Sequence, residues 1–265
     1  MNMAEYILSN DFIYHSTGSS EGTQDKYYKD NLWFKMDLNG YEGNAEYIIT
    51  CLLNCSNISN YVSYEKCLIN GKDGCVSKSF LGPNEAFITF ERFHKIHKGS
   101  HILDEIMLFN TPEEKIQYVK DFIYNKAGLD ISSYLSNIFS LDALVLNYDR
   151  HFNNLGIIYD GSNDKYHEAP IFDNGAGLLS NVSRFPFFNS IEENISNVIG
   201  QPICSNLDLQ AYYAGITLRI DYDLFEKTYL PKLGHSRAVD VLCYQLEQKR
   251  SLFPNYVKYP NPQKK

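Results

Sequence analysis

The stretch Leu146–Gly177, LNYDRHFNNLGIIYDGSNDKYHEAPIFDNGAG, concentrates the residues of this chain that could do chemistry. An apolar run ends at Leu146. A polar cluster follows at once: Asn147, Asp149, Arg150, His151, Asn153 and Asn154. Two short apolar segments, Leu155–Tyr159 and Pro170–Phe172, flank an Asp160-Gly161 turn signal. Asp173-Asn174-Gly175 comes directly after the second. Paired as a hairpin, the two segments would bring Asn154 near Asp173. One carboxylate and one amide oxygen suffice for Mg²⁺, a hard cation that keeps several of its waters. Asp149 would then be free to orient or deprotonate a hydroxyl nucleophile. Phosphoryl transfer asks for such parts: an acid for the nucleophile and hard oxygen donors for the metal that bridges a polyphosphate. Asp-Arg-His alone also fits a helix end with a surface salt bridge. The Asn154 five residues after Asp149, together with the Asp-x-Gly, favours the catalytic reading. His151 has three candidate roles: a base, a phosphate contact, or a structural bond to the loop backbone.

In protein kinases a catalytic-loop Asp is followed five residues on by a metal-binding Asn, and a second metal Asp opens an Asp-x-Gly. Asp149, Asn154 and Asp173 repeat that spacing, although the order Asp-Arg-His reverses the usual His-Arg-Asp. DRHxxN followed by an apolar strand and DxG resembles the HipA-like serine/threonine kinases of bacteria and the phosphoinositide-3-kinase-type enzymes. The upstream segment GSSEGTQDKYYKDNLWFKMDLNGYEGNAEYIIT resembles the small-lobe start of short HipA-like proteins, a group that includes the CtkA-like kinases. The motifs of this resemblance span residues 12–180.

The resemblance implies an α+β, two-lobed protein-kinase-like fold with a strand-rich N-lobe and a helical C-lobe, and a stand-alone kinase core. It implies ATP and Mg²⁺ as cofactors, with Asn154 and Asp173 holding the metal. Lys35 matches the strand lysine that contacts the nucleotide phosphates, and Glu46 its helix partner. By its own pattern Lys35 shares a strand face with Trp33 and Asp37. Glu46 borders the buried helix stripe beside Ile49 and Leu53, so the pair can meet; Glu42 is the competing acid. Thr17–Lys26 resembles the phosphate-covering loop, in which Gly18 and Gly22 let backbone amides approach phosphate oxygens. Ser19 and Ser20 in that loop are candidate self-phosphorylation sites, where a dianion would expel the loop. Glu91 and Phe93 fall where such enzymes connect the lobes and bond adenine through the backbone.

The elements that must hold these residues are legible from periodicity. Leu32–Asp37 alternates as a strand, and Ala45, Ile48, Ile49, Leu52 and Leu53 form one stripe of a helix from Asn44. Ala86–Phe93 reads as another strand. Beyond residue 100 the pattern turns helical. Thr111-Pro112-Glu113-Glu114 is a helix start that runs to a stop at Gly128, Asp130 caps the next helix, and Ser236 opens the last. The expected division is an N-lobe at 1–95, a C-lobe at 96–253 and a polar tail at 254–265. His94, His97 and His101 with Lys95 and Lys98 read as a solvated basic loop. Arg184–Phe188 reads as an apolar loop packed on the large lobe, with the acceptor groove as the alternative.

With 265 residues the chain can bury a substantial core, and 24 Lys+Arg against 32 Asp+Glu leave a net charge of −8. That balance argues against a nucleic-acid partner, since such binding runs on cations facing phosphates. No run reaches the ~20 apolar residues of a membrane span. The six cysteines show no CxxC or zinc-type spacing, and the N-terminus has no basic, then apolar, leader. A cytoplasmic protein is the expectation, with delivery into a host by a signal-less route left open. The expected partner is a protein carrying the acceptor serine or threonine, the chain itself included. A phosphoinositide or small-molecule kinase, an AMP-transferring enzyme and an ATP-binding pseudokinase or regulatory module stay open beside it.

Overall fold

Alternating and turn-forming residues build the first sheet. The computed structural model describes residues 3–13 and 26–258. Its strands are β1 (Ala4–Tyr6), β2 (Lys26–Lys29), β3 (Leu32–Met36), β4 (Tyr64–Ile69) and β5 (Lys72–Lys78), with helix α1 (Glu42–Leu53) between β3 and β4. The order across the sheet is β1-β4-β5-β3-β2, and all pairs but β1–β4 are antiparallel. Asp30-Asn31 and Asn70-Gly71 both take positive φ at the hairpin tips. Two such residues twist a tight turn the way the flanking strands twist. One face of the sheet buries Tyr27, Phe34, Cys67, Ile69 and Val76 under Leu8. The other receives α1.

A second sheet of three antiparallel strands follows: β6 (Glu85–Thr89), β7 (Gly156–Asp160) and β8 (Lys165–Glu168), in the order β6-β7-β8. Around it lie α2 (Phe90–Lys98), α3 (Ile102–Ile106), α4 (Pro112–Ala127) and α5 (Ser132–Val145). Next come α6 (Ile191–Ser196) and α7 (Leu207–Ala214). The chain ends in α8 (Tyr222–Leu224), a π-helical turn, α9 (Leu230–Leu233) and α10 (Arg237–Gln248). Thr111 forms a complete capping box with Glu114, and Gly128 closes α4 at φ 66°. Buried faces of α4, α5, α7 and α10 share one core with Ile48, Ile49, Leu52 and Leu53 of α1. The N-lobe helix is therefore packed into the C-lobe core as well as onto its own sheet. The six cysteines are free thiols.

Two expectations, a strand and a hairpin partner, are corrected. The strand read over Ala86–Phe93 stops at Thr89, whose hydroxyl accepts the Arg92 amide at 3.0 Å and so caps a helix. The division placed at 95/96 consequently falls inside α2. The change from the first sheet to the second occurs between Lys78 and Glu85. The hairpin partner of β7 is Lys165–Glu168, not Pro170–Phe172. The proline segment leaves the hairpin and crosses to the small lobe, where Ile171 O accepts the Val62 amide at 2.9 Å and the Ile171 amide reaches Asn60 O at 3.0 Å. That crossing delivers Asp173 to the lobe interface. The tail is bonded as far as Lys258, whose amide reaches Asp221 at 2.8 Å.

The seat of α1 on the sheet depends on one missing methyl. A Cβ on Gly43 would lie 2.6 Å from the Gly74 carbonyl carbon and 2.9 Å from the Cys75 nitrogen, both backbone atoms that cannot step aside. Gly43→Ala improves intrinsic helix propensity by about 1 kcal/mol. The overlap pushes α1 off β5 at a cost of about 2 kcal/mol. Urea unfolding is expected to show Gly43→Ala as the less stable protein, and a gain in stability would refute the close contact.

Candidate active site

Cross-strand register sets the first part of the site. Lys35 lies in β3 and α1 presents Glu46 to it: the ammonium donates to Glu46 Oε1 at 2.8 Å and to Asp173 Oδ1 at 2.7 Å. Glu46 is almost fully buried, and its second oxygen accepts the Asn174 amide at 3.0 Å. Tyr64 adds a hydroxyl 3.4 Å from the Lys35 ammonium and the same distance from the Asp173 amide. Lys26 on β2 sits directly across from Lys35, and its ammonium approaches the other Asp173 oxygen at 3.3 Å. Burial alone would favour a neutral Asp173. Lys26, Lys35 and Arg150 overcome it and hold the carboxyl far below the usual range. Burial likewise opposes the Lys35 charge, and Asp173 and Glu46 reverse that and raise its pKa well above normal. Glu42, the competing acid, faces elsewhere and accepts the Asn39 amide at 2.8 Å.

The second part of the site grows from the end of α5. Leu146 closes that helix in the left-handed region, φ 59°, and the chain turns sharply into Asn147–Asn154. Arg150 is fully buried and anchors the turn. Its Nε and Nη2 grip Asp142 at 2.9 Å each, Nη1 donates to Phe172 O at 2.6 Å, and Nη2 donates to Asn174 Oδ1 at 2.7 Å. One guanidinium thus links the helix, the turn and the Asp173 loop. Removing one partner of such a buried pair typically costs ~3–5 kcal/mol, because the other charge is left without compensation. Asp149, next to this anchor, is exposed, and its Oδ1 accepts Gln201 Nε2 at 3.1 Å. Burial raises its pKa, with Asp173 adding to the rise and His151 opposing it. Asn154 donates Nδ2 to Asp149 O at 3.2 Å, which turns its amide oxygen to the opposite side. The His151 amide caps the turn on Asp149 O at 3.1 Å, and its buried Nδ1 has no hydrogen-bond partner among the described residues.

Lys35, Glu46, Asp173, Asp149 and Asn154 are therefore gathered around one interlobe region. Gly18, Ser19, Ser20 and Gly22 lie outside the described residues. Glu91 and Phe93 do not belong to the region. Phe93 is buried in α2 against Phe122 and Tyr166, and Glu91 accepts the His101 ring at 2.6 Å and the Ile102 amide at 3.3 Å. The backbone amides of Phe90 and Glu91 are already spent on Leu155 O and Phe152 O. The connection between the sheets is Ser79–Asn84, where the Phe80 ring packs 5.6 Å from Phe172. The basic loop at residues 94–101 is also corrected. Most of it is helix, and His94 is buried with its ring between Ser100 O and the Tyr118 hydroxyl. In Arg184–Phe188, Phe185 is buried whereas Phe187 and Phe188 are exposed. Arg184 lies over the Tyr148 ring at 4.4 Å. Sequence reasoning missed Gln201, Tyr64 and the Lys26 contact. The register of β2 on β3 carries the Lys26 signal, but a lone glutamine in a coil segment carries none.

The donors fit a cation that brings most of its own ligands. Among the described residues no group of three or more His, Cys, Asp and Glu forms a metal cluster. One carboxylate (Asp173) and one amide oxygen (Asn154) match Mg²⁺ sharing its shell with phosphate and water, rather than a dedicated protein cage.

No family model matches the sequence, and no curated protein matches it. Solved structures do. A crystal structure of the Helicobacter pylori proinflammatory kinase CtkA is similar with a TM-score of 0.60 and 14% identity, over 95% of each chain. The fold is kinase-like. The expected two-lobed α+β architecture, and the resemblance to the CtkA-like kinases, are met at the level of the fold. HipA of Shewanella oneidensis MR-1, in a complex with HipB and operator DNA, aligns with a TM-score of 0.36 and 11% identity. That alignment covers 95% of this chain and 62% of HipA. Among the described residues no helix is long and apolar enough to cross a membrane.

The depressed pKa of Asp173 has a thermodynamic consequence. Its ion pairs stabilise the fold above the unfolded carboxyl value of about 3.9, and are lost as pH falls towards the still lower folded value. Stability of the wild type is therefore expected to fall more steeply below about pH 4 than that of Asp173→Asn. Parallel acid limbs in urea titrations would contradict the assignment.

Proposed function

We propose that this chain is a kinase that transfers the γ-phosphoryl group of ATP to a serine or threonine hydroxyl of a protein. The observation that carries this reading is the meeting of a strand lysine, a helix glutamate and the Asp-x-Gly aspartate within hydrogen-bond distance: Lys35, Glu46 and Asp173. In this reading Lys35, oriented by Glu46, holds the nucleotide phosphates. Asn154 and Asp173 are the residues that would hold Mg²⁺, which supplies charge neutralisation along the polyphosphate. The connector Ser79–Asn84 takes the place first expected of Glu91 and Phe93 beside the adenine. The resemblance assigns the segment with Gly18, Ser19, Ser20 and Gly22 to the phosphates, and its serines are candidate acceptors within the chain itself.

Asp149 orients the acceptor hydroxyl. As the acceptor oxygen bonds to the γ-phosphorus, the bond from that phosphorus to the ADP oxygen breaks. The hydroxyl proton passes to the Asp149 carboxylate, whose raised pKa suits that task. Gln201 occupies Oδ1 and so turns Oδ2 to the acceptor. His151, two residues after Asp149, is assigned to a phosphate contact. Most of the acceleration in such a site comes from positioning and charge stabilisation.

The test compares wild type with Asp149→Asn in Mg²⁺-ATP. Calorimetry is expected to give similar ATP affinities. Intact mass is expected to show whole phosphate units gained by wild type alone, with the variant at least ~100-fold slower. Equal loss of binding and transfer would remove Asp149 from its role, and a gain of AMP units would replace kinase chemistry by nucleotidyl transfer.

A further inference from the structure

Both oxygens of Asp173 are engaged by ammonium groups, and the two lysines are not equivalent. Lys35 is tied to Glu46 at 2.8 Å and lies against the Tyr64 hydroxyl and ring as well as Asp173. It has a scaffold that keeps it in place whatever Asp173 binds. Lys26 is held at the site through Asp173 Oδ2 alone among the described residues, at the longer distance of 3.3 Å, and its side chain is one-fifth exposed. It sits in register with Lys35, so the two side chains leave the β2–β3 ladder on the same face. The Lys26 ammonium can swing away from the carboxylate without leaving the phosphate-facing side of the sheet.

A cation on Asp173 must compete for an oxygen that an ammonium now accepts, and it repels that ammonium. A polyphosphate attracts the same ammonium. Resting on the nucleotide reading above, we propose that Lys26 is an exchange cation: it shares Asp173 with the metal and transfers to the β- or γ-phosphate when nucleotide binds. Nucleotide thereby clears Asp173 for the metal, and the two ligands favour each other. By linkage the coupling is reciprocal. The proposal gives Lys26 opposite effects on the two ligands measured separately, which a merely structural lysine would not have.

The experiment measures two affinities by calorimetry on the full chain: Mn²⁺ without nucleotide, and ATP in excess EDTA. Lys26→Met keeps the aliphatic stem and removes the charge; Lys26→Arg keeps the charge; AMP in EDTA is the control that lacks the β- and γ-phosphates. Lys26→Met is expected to bind Mn²⁺ several-fold more tightly than wild type. It should bind metal-free ATP about tenfold more weakly, the usual loss for a charge-assisted contact, and AMP unchanged. Lys26→Arg should keep most of the ATP affinity. Weakening of both ligands, or unchanged values for both, overturns the exchange. Equal weakening of AMP and ATP overturns the assignment to the β- or γ-phosphate. A wild type that binds neither ATP nor AMP refutes the nucleotide reading itself, with Lys26 falling as a consequence.

Discussion

The half-buried carboxylate of Asp173 carries the connection between the two lobes at the site. It stands at the end of a segment that starts in the C-lobe hairpin and crosses to the small lobe. There Lys26 and Lys35 neutralise it from two neighbouring strands. A carboxylate in such surroundings is costly unless it is paired, and a lysine in the same place equally so. Each group is tolerated because the other is there. The glutamate of α1 completes the balance by taking both the Lys35 ammonium and the Asn174 amide. Displacement of α1 would break the lysine pair and loosen the Asp173 loop together.

The remaining parts of the site are arranged so that this knot has a fixed seat. Gly43 lets α1 lie against the backbone of β5, which sets the reach of Glu46. Asp37 caps the start of the helix by accepting the Gly43 amide at 2.6 Å, binding the helix to the end of the strand that carries Lys35. On the other side, Arg150 ties Asp142, the Phe172 carbonyl and Asn174 into one unit, so the Asp149 turn and the Asp173 loop move as a piece. Around this unit Asp149 is exposed and the Lys26 side chain is one-fifth exposed, whereas Asn154 is buried.

Local patterns made much of this legible. The strand of Lys35, the helix of Glu46, the capping box at Thr111 and the spacing of Asp149 to Asn154 are all encoded within a few residues, where side-chain periodicity and capping chemistry dominate. The misreadings come from longer range. Ala86–Phe93 has β-branched and aromatic residues suited to a strand, yet Thr89 can cap, and tertiary packing of Phe90 and Phe93 into the helical core decides for a helix. Apolarity favours Pro170–Phe172 as the partner of β7. The exposed hairpin edge instead uses the polar Lys165–Glu168, and the apolar segment is drawn across to bury Ile171 and half-bury Phe172. His94 looked solvated because it sits among lysines; a buried carbonyl and a tyrosine hydroxyl satisfy its ring. Gln201 reaches Asp149 from more than fifty positions away, and nothing local to it announces that contact.

Asp173, shared by two lysines, is the acid proposed to take the metal of a nucleotide complex together with Asn154. The direct measurement is a crystal structure of the full chain with Mn²⁺ and a non-hydrolysable ATP analogue, with the metal located by its anomalous signal. A single strong peak is expected in contact with an Asp173 oxygen and the Asn154 amide oxygen, with Lys35 still on Glu46. A peak held by other residues, or nucleotide bound away from the Lys35–Asp173 region, would contradict it.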